Sequence, residues 1–186
     1  VHVIPSALLK RHDYKIPHYI AASVRDIDFK LLSERGLTTV LIDVDNTLVS
    51  FGARVLHSSA VPALQEARDK GYIKTLAIAS NSRRDISHIV RALRPDAVFQ
   101  PIGLVYKPRR AYYRRVLTLL RVEPGQSVMI GDRLIQDVWG ARRAGLATVL
   151  VKPLGRDLWV DGLLGTRWRE RRILRSYLPN HPEHWF

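Results

Sequence analysis

The sequence has no cysteine, a single methionine and few acidic residues, and each shortage narrows what the chain can be. Without thiols, disulfides, thiolate metal centres and cysteine nucleophiles are excluded. No stretch approaches the ~20 apolar residues of a membrane-spanning helix, and the N-terminus carries no signal-peptide pattern, so a cytoplasmic location is expected. A start at Val1 is expected of a trimmed chain or an unusual start codon. Only 17 Asp and Glu face 30 Lys and Arg, giving a formal charge of +13. Codon bias can exchange Arg for Lys but does not create excess charge. The balance therefore points to an anionic partner: a phosphorylated substrate, an acidic membrane surface or nucleic acid.

What is present is enough for one domain over residues 1–186, with 46% hydrophobic residues to build its core. Strand-like apolar runs at 38–43, 74–80, 96–99, 127–131 and 146–151 alternate with helix-like runs at 61–70, 83–94, 109–121 and 134–144. Gly71, Gly125 and Gly145 mark helix ends. The alternation predicts an α/β fold, a doubly wound parallel sheet of Rossmann-like type. A basic, partly helical lead-in (1–37) precedes it, with a helix over 26–35 ended by Gly36. A tail rich in Arg and Trp (152–186) follows.

Three strand-like runs end on a polar residue: "TTVLID" on Asp43, "KTLAIAS" on Ser80 and "SVMIGD" on Asp132. In a parallel sheet these positions share the carboxyl edge, where open α/β sheets bind ligands. An unpaired carboxylate at a core strand costs several kcal/mol, so Asp43 and Asp45 need either a strand end or a compensating charge. Taken singly, each residue has a plainer role open to it. Asp43 and Asp45 suit a turn, Thr47 a local backbone bond, Lys107 a solvated surface and Asp137 a helix exterior. Ser82, with Asp85 three residues on, predicts the cap of helix 83–94 and leaves Ser80 free. Pro108 at a first helical position would make Lys107 an N-cap, poor for capping and good for binding phosphate. Arg83, Arg109 and Arg110 lie near this edge on helices whose many arginines suit a solvated face.

Taken together, Asp43-Val44-Asp45-Asn46-Thr47, Ser80-Asn81, Lys107-Pro108 and Gly131-Asp132 with Asp137 resemble the four-motif signature of the haloacid dehalogenase superfamily of phosphatases, over residues 38–151. "GDRLIQDVWGARRAGLATVLVKPLG" followed by "TRWRERRILR" is similar to the capless phosphatidylglycerophosphate phosphatase group of mitochondria and bacteria. The resemblance implies Asp43 as nucleophile and Asp45 as acid and base. It implies Mg²⁺ held by Asp43, the Asp45 carbonyl and Asp132, with Asp137 reaching the metal or orienting Lys107. Thr47, Ser80, Asn81 and Lys107 would bind the phosphoryl group.

The intervals from Asp45 to Ser80 and from Ser80 to Lys107 leave no room for a cap domain, so a large or surface-bound phosphoester suits the open site. Residues 166–178, "TRWRERRILRSYL", predict a basic amphipathic helix. Its apolar residues are Trp168, Ile173, Leu174, Tyr177 and Leu178, and its basic ones Arg167, Arg169, Arg171, Arg172 and Arg175. It suits an anionic bilayer or packing on the sheet. The expected function is dephosphorylation of phosphatidylglycerophosphate, peripherally at the inner membrane surface. The alternatives are a soluble sugar-phosphate or nucleotide phosphatase capped by oligomerisation, a nucleic-acid end phosphatase, and a non-enzymatic scaffold.

Overall fold

The computed structural model describes residues 2–4, 14–50, 59–155 and 166–177. Its centre is a seven-stranded sheet: β1 (His2–Val3), β2 (Tyr19–Ala21), β3 (Thr39–Ile42), β4 (Thr75–Ala79), β5 (Ala97–Phe99), β6 (Ser127–Gly131) and β7 (Ala147–Val151), in the order β1-β2-β7-β6-β3-β4-β5. Six strands are parallel; β1 alone runs antiparallel, at the edge beside β2. The helices are α1 (Phe29–Glu34), α2 (Ala60–Asp69), α3 (Ser87–Leu93), α4 (Arg110–Leu120), α5 (Gly140–Arg143) and α6 (Thr166–Tyr177). A π-helical turn, Leu134–Trp139, leads into α5.

The sheet is covered on both faces, which explains why its strands read as continuous apolar runs. Val40, Ile42, Leu76, Ile78, Val128 and Ile130 face one core with residues of α1, α2 and α3. The alternate residues Leu41, Ala77, Ala79 and Met129 face a second core with Tyr112, Tyr113, Val116 and Leu117 of α4. Alanines on β4 leave room for the two tyrosine rings, which meet edge to face at 5.4 Å.

The expected α/β sheet is present, with three corrections. The lead-in is not merely helical: Tyr19–Ala21 forms β2, paired with β7. Residues 83–86 are not helical, because the Ser82 hydroxyl accepts from Arg84 N and the Asp85 carboxylate from Ser87 N, holding a turn before α3. Lys107 is not an N-cap: α4 begins at Arg110 after Arg109, and Lys107 is only 1% exposed. Among the described residues, α2 is the one helix between β3 and β4, and α3 and β5 are the elements between β4 and Lys107, with no cap.

Helix α6 lies against the sheet domain through one side. Leu174 joins Ile4, Ile16, Ile20, Leu134, Val138 and Leu150 in a third core, whereas Trp168, counted above among the apolar residues of the helix, is 62% exposed. Arg172 sits over the Trp168 ring at 5.4 Å. Leu178 lies outside the described residues.

Candidate active site

Strand order reverses at β3, with β4 on one side and β6 on the other, so a crevice opens at the carboxyl ends between β3 and β6. Asp43 follows β3 and Asp132 follows β6, one on each lip. The loop after Asp43 turns back at once: the N–H groups of Leu48 and Val49 donate to Val44 O, and Asn46 donates to Val49 O at 2.6 Å. Asn46 takes the left-handed conformation, φ 58°, which asparagine tolerates better than most residues. This turn buries Thr47, whose hydroxyl lies 3.5 Å from Asp132 Oδ1.

Lys107 enters the same crevice. Its Nζ lies 2.6 Å from Asp43 Oδ1 and 2.7 Å from Asp137 Oδ1, and all three side chains are buried. Neither plain role open to Lys107 and Asp137, a solvated lysine and an exterior helix residue, describes these positions. Asn81 clamps the lysine by its main chain: the amide nitrogen donates to Lys107 O at 2.8 Å, and its oxygen accepts from Lys107 N at 2.9 Å. Asn81, expected at the substrate, thus has its amide engaged in positioning Lys107. Ser80 is fully buried and not free, because its hydroxyl oxygen accepts from Ser82 N at 3.0 Å. Its position is nonetheless the carboxyl end of β4, in line with Asp43 and Asp132.

Gly131 allows the crowding: a Cβ there would run into the Asp137 carboxylate. Asp137 spends its other oxygen on Arg133 N, at 3.0 Å. Carboxylate oxygens of Asp43, Asp132 and Asp137 lie within 4.8 Å of one another. Three buried carboxylates thus gather at one place, with Lys107 between two of them. Burial, more than any other influence, pushes Asp43 up to about 8; Lys107 opposes the shift, and Asp137 and Asp132 add to it. Burial alone would lower Lys107, but Asp137 and Asp43 outweigh it and hold the ammonium well above its ordinary range. A hard divalent cation with oxygen ligands fits this donor set.

A family described as "HAD-hyrolase-like" matches residues 105–153, the segment from the lysine loop through β7. The chain is 28% identical to "Probable phosphatase YqeG" of Bacillus subtilis (strain 168), over 87% of this chain and 90% of that one. It is 25% identical to "Glyceraldehyde 3-phosphate phosphatase" of Pyrococcus furiosus, over 78% of this chain and 61% of that one. It is 26% identical to "Phosphatidylglycerophosphate phosphatase 1, chloroplastic/mitochondrial" of Arabidopsis thaliana, over 81% of this chain and 44% of that one. These matches support a phosphatase of the haloacid dehalogenase type.

Two side chains of this phosphatase site have no counterpart in the sequence reading. Arg84, in the turn before α3, places Nη2 2.6 Å from Asp45 Oδ1, a charge contact without hydrogen-bond alignment. Burial raises Asp45 above the ordinary carboxylate range, and Arg84 and then Lys107 oppose that rise. Glu170 of α6 accepts from Ile135 N at 3.1 Å, inside the π-helical turn that carries Asp137, and lies 3.9 Å from Arg133. The tail helix thus reaches the loop behind the site. A "TRWRE" stretch signals a helix, but no spacing announces that its one acid meets residue 135.

Proposed function

We propose that this phosphatase is Mg²⁺-dependent and removes the terminal phosphate of phosphatidylglycerophosphate, acting peripherally at an anionic membrane surface. The observation that carries the reading is the buried Asp43–Lys107–Asp137 cluster, opening at the carboxyl edge beside Asp45 with no cap among the described residues. Asp43 and Asp132, with the Asp45 carbonyl, would hold the metal, and Asp137 would serve it at one remove by fixing Lys107. Bound there, Mg²⁺ would cancel part of the ester's charge and keep Asp43 ionised.

The Asp43 carboxylate then attacks phosphorus, and the bond from phosphorus to the alcohol oxygen breaks. Asp45 gives its proton to the departing alkoxide. Asp45, now ionised, takes a proton from water, whose oxygen attacks the aspartyl-phosphate and frees inorganic phosphate and Asp43. Lys107 and the hydroxyls of Thr47 and Ser80 stand beside the transferring group, and Asn81 sets the lysine's position.

The lipid assignment draws support from the Arabidopsis relative, the open site and the +13 charge. The Pyrococcus relative supports a rival, a small soluble phosphoester. Phosphate release should be measured side by side on phosphatidylglycerophosphate in anionic vesicles, glyceraldehyde 3-phosphate, nucleotides and end-phosphorylated DNA. Preference for the lipid by kcat/KM is expected. Higher kcat/KM on any of the other substrates would overturn the lipid assignment, and no Mg²⁺-dependent release from any would overturn the mechanism.

A further inference from the structure

The loop between β5 and Lys107 carries the most exposed large apolar side chain among the described residues, Leu104 at 72%, with Ile102 beside it at 57%. The two are not loose. Val105 N donates to Ile102 O at 2.9 Å and Ile102 N to Val105 O at 3.3 Å, and Gly103 takes φ +56° at the tip. A tight turn is therefore built to hold two aliphatic side chains in water, which folding alone does not favour.

Arginines flank it. Arg83 donates to Gly103 O at 3.3 Å, and Arg109 lies over the Tyr106 ring at 4.8 Å. From Ala97 to Val122 the chain has no acidic residue, while it carries Lys107 and five arginines. The tip's chemistry is thus aliphatic at the point, aromatic at the shoulder and cationic around the base. That order matches the depth profile of an anionic bilayer: acyl chains, then interface, then anionic headgroups. Two residues beyond Val105 the chain enters the site at Lys107.

We propose that the loop Pro101–Tyr106 is a docking tip that inserts Ile102 and Leu104 into an anionic lipid bilayer and sets the mouth of the site against the headgroups. This rests on the lipid reading above and deepens it, giving the membrane contact to the rim of the site in addition to the tail. A nucleic acid would satisfy the arginines but not the paired aliphatics.

The absence of native cysteine makes a single-site probe direct. The full chain with Leu104→Cys, labelled with an environment-sensitive dye, should shift its emission to the blue with vesicles of equal parts phosphatidylglycerol and phosphatidylcholine. It should not shift with phosphatidylcholine alone. Arg83→Gln and Arg109→Gln should each weaken the vesicle titration by about fivefold, and added salt should weaken it further. Unlabelled protein with Ile102→Asn and Leu104→Asn should lose vesicle co-sedimentation while keeping its thermal melt and its rate on a soluble aryl phosphate.

A silent probe, a shift with duplex DNA in place of vesicles, or a shift with rising protein concentration alone would each overturn the docking tip. The two proposals fail separately. Hydrolysis of phosphatidylglycerophosphate in detergent with a silent probe would sink the tip and leave the substrate standing. A responding probe without hydrolysis would support the tip and sink the substrate.

Discussion

Two buried polar constellations sit on the same sheet and are handled in opposite ways. At the β2–β7 junction, His18 Nδ1 accepts from Thr148 N at 3.2 Å, so the ring is held neutral with its proton on Nε2. Burial, helped by Arg142, lowers it from 6.5 to about 4. At the carboxyl edge, three carboxylates gather, two of them on Lys107, and Asp43 is pushed up to about 8. The first constellation is satisfied and neutral; the second crowds acidic groups that a bound cation would serve. A buried polar group that serves stability is completed within the protein, and one that serves chemistry is completed by what binds.

The most severe way to break this contrast is Asp43→Asn. It removes the proposed nucleophile without changing side-chain shape, and should lower phosphate release by at least about 10⁴-fold. The melting temperature should hold or rise, since one buried charge disappears. Asp45→Asn should cost about 10²–10⁴-fold, the range of proton-transfer catalysis. Retained turnover in the Asp43→Asn protein, read by a phosphate-release assay, would show that the cluster is not the reactive centre.

Lys107→Met tests the carboxylate cluster itself. Leaving the carboxylates without their ammonium should destabilise the fold by about 3–5 kcal/mol in chelator, measured by urea unfolding. Added Mg²⁺ should recover more of the loss in this variant than it adds to the parent. No stabilisation of either protein by Mg²⁺ would mean that these aspartates do not form a cation site.

The two constellations should also give stability profiles of opposite slope. For His18 the folded value lies below the unfolded one, so its contribution is complete above 6.5 and is lost as pH falls toward 4, by up to about 3 kcal/mol. For Asp43 in chelator the folded value lies above the ordinary 3.8, so its contribution is present at low pH and is lost as pH rises through about 8. In thermal melts across pH, His18→Asn should remove the rise in stability between about 4 and 6.5, and Asp43→Asn the opposing fall between 3.8 and about 8. The smallest effect expected is that of Arg84→Gln. Removing the guanidinium that lowers Asp45 should move the Asp45 limb of the kcat/KM profile to higher pH, with the melt little changed. An unmoved limb would take Arg84 out of the proton-transfer step.

The sheet from β3 to β7 was legible because buried parallel strands are unbroken apolar runs, and the first polar residue after each run marks the carboxyl edge. Asp43, Ser80 and Asp132 follow that rule, and Lys107 and Asp137 join them in one crevice. β2 was not legible: three residues beside Pro17 carry too little periodicity to separate strand from coil. Lys107 was misplaced because Pro108 signals a helix start, whereas the helix begins at Arg110 and the lysine turns inward to two carboxylates. Arg84 and Glu170 were invisible because each acts on a residue far along the chain, and local patterning encodes no such pairing.

The place of β2 has a consequence for the order in which the molecule is made. It is the first strand of the parallel set to leave the ribosome, yet its parallel neighbour is β7, the last, with Tyr19 opposite Val149. Its backbone donors and acceptors on that side must wait through synthesis of nearly the whole sheet. Domains assemble from the N-terminus as they emerge, and pairings distant in sequence form slowly. β2 is therefore expected to be a closing element: the first parallel strand translated is sealed last, over a core that the later strands have already built.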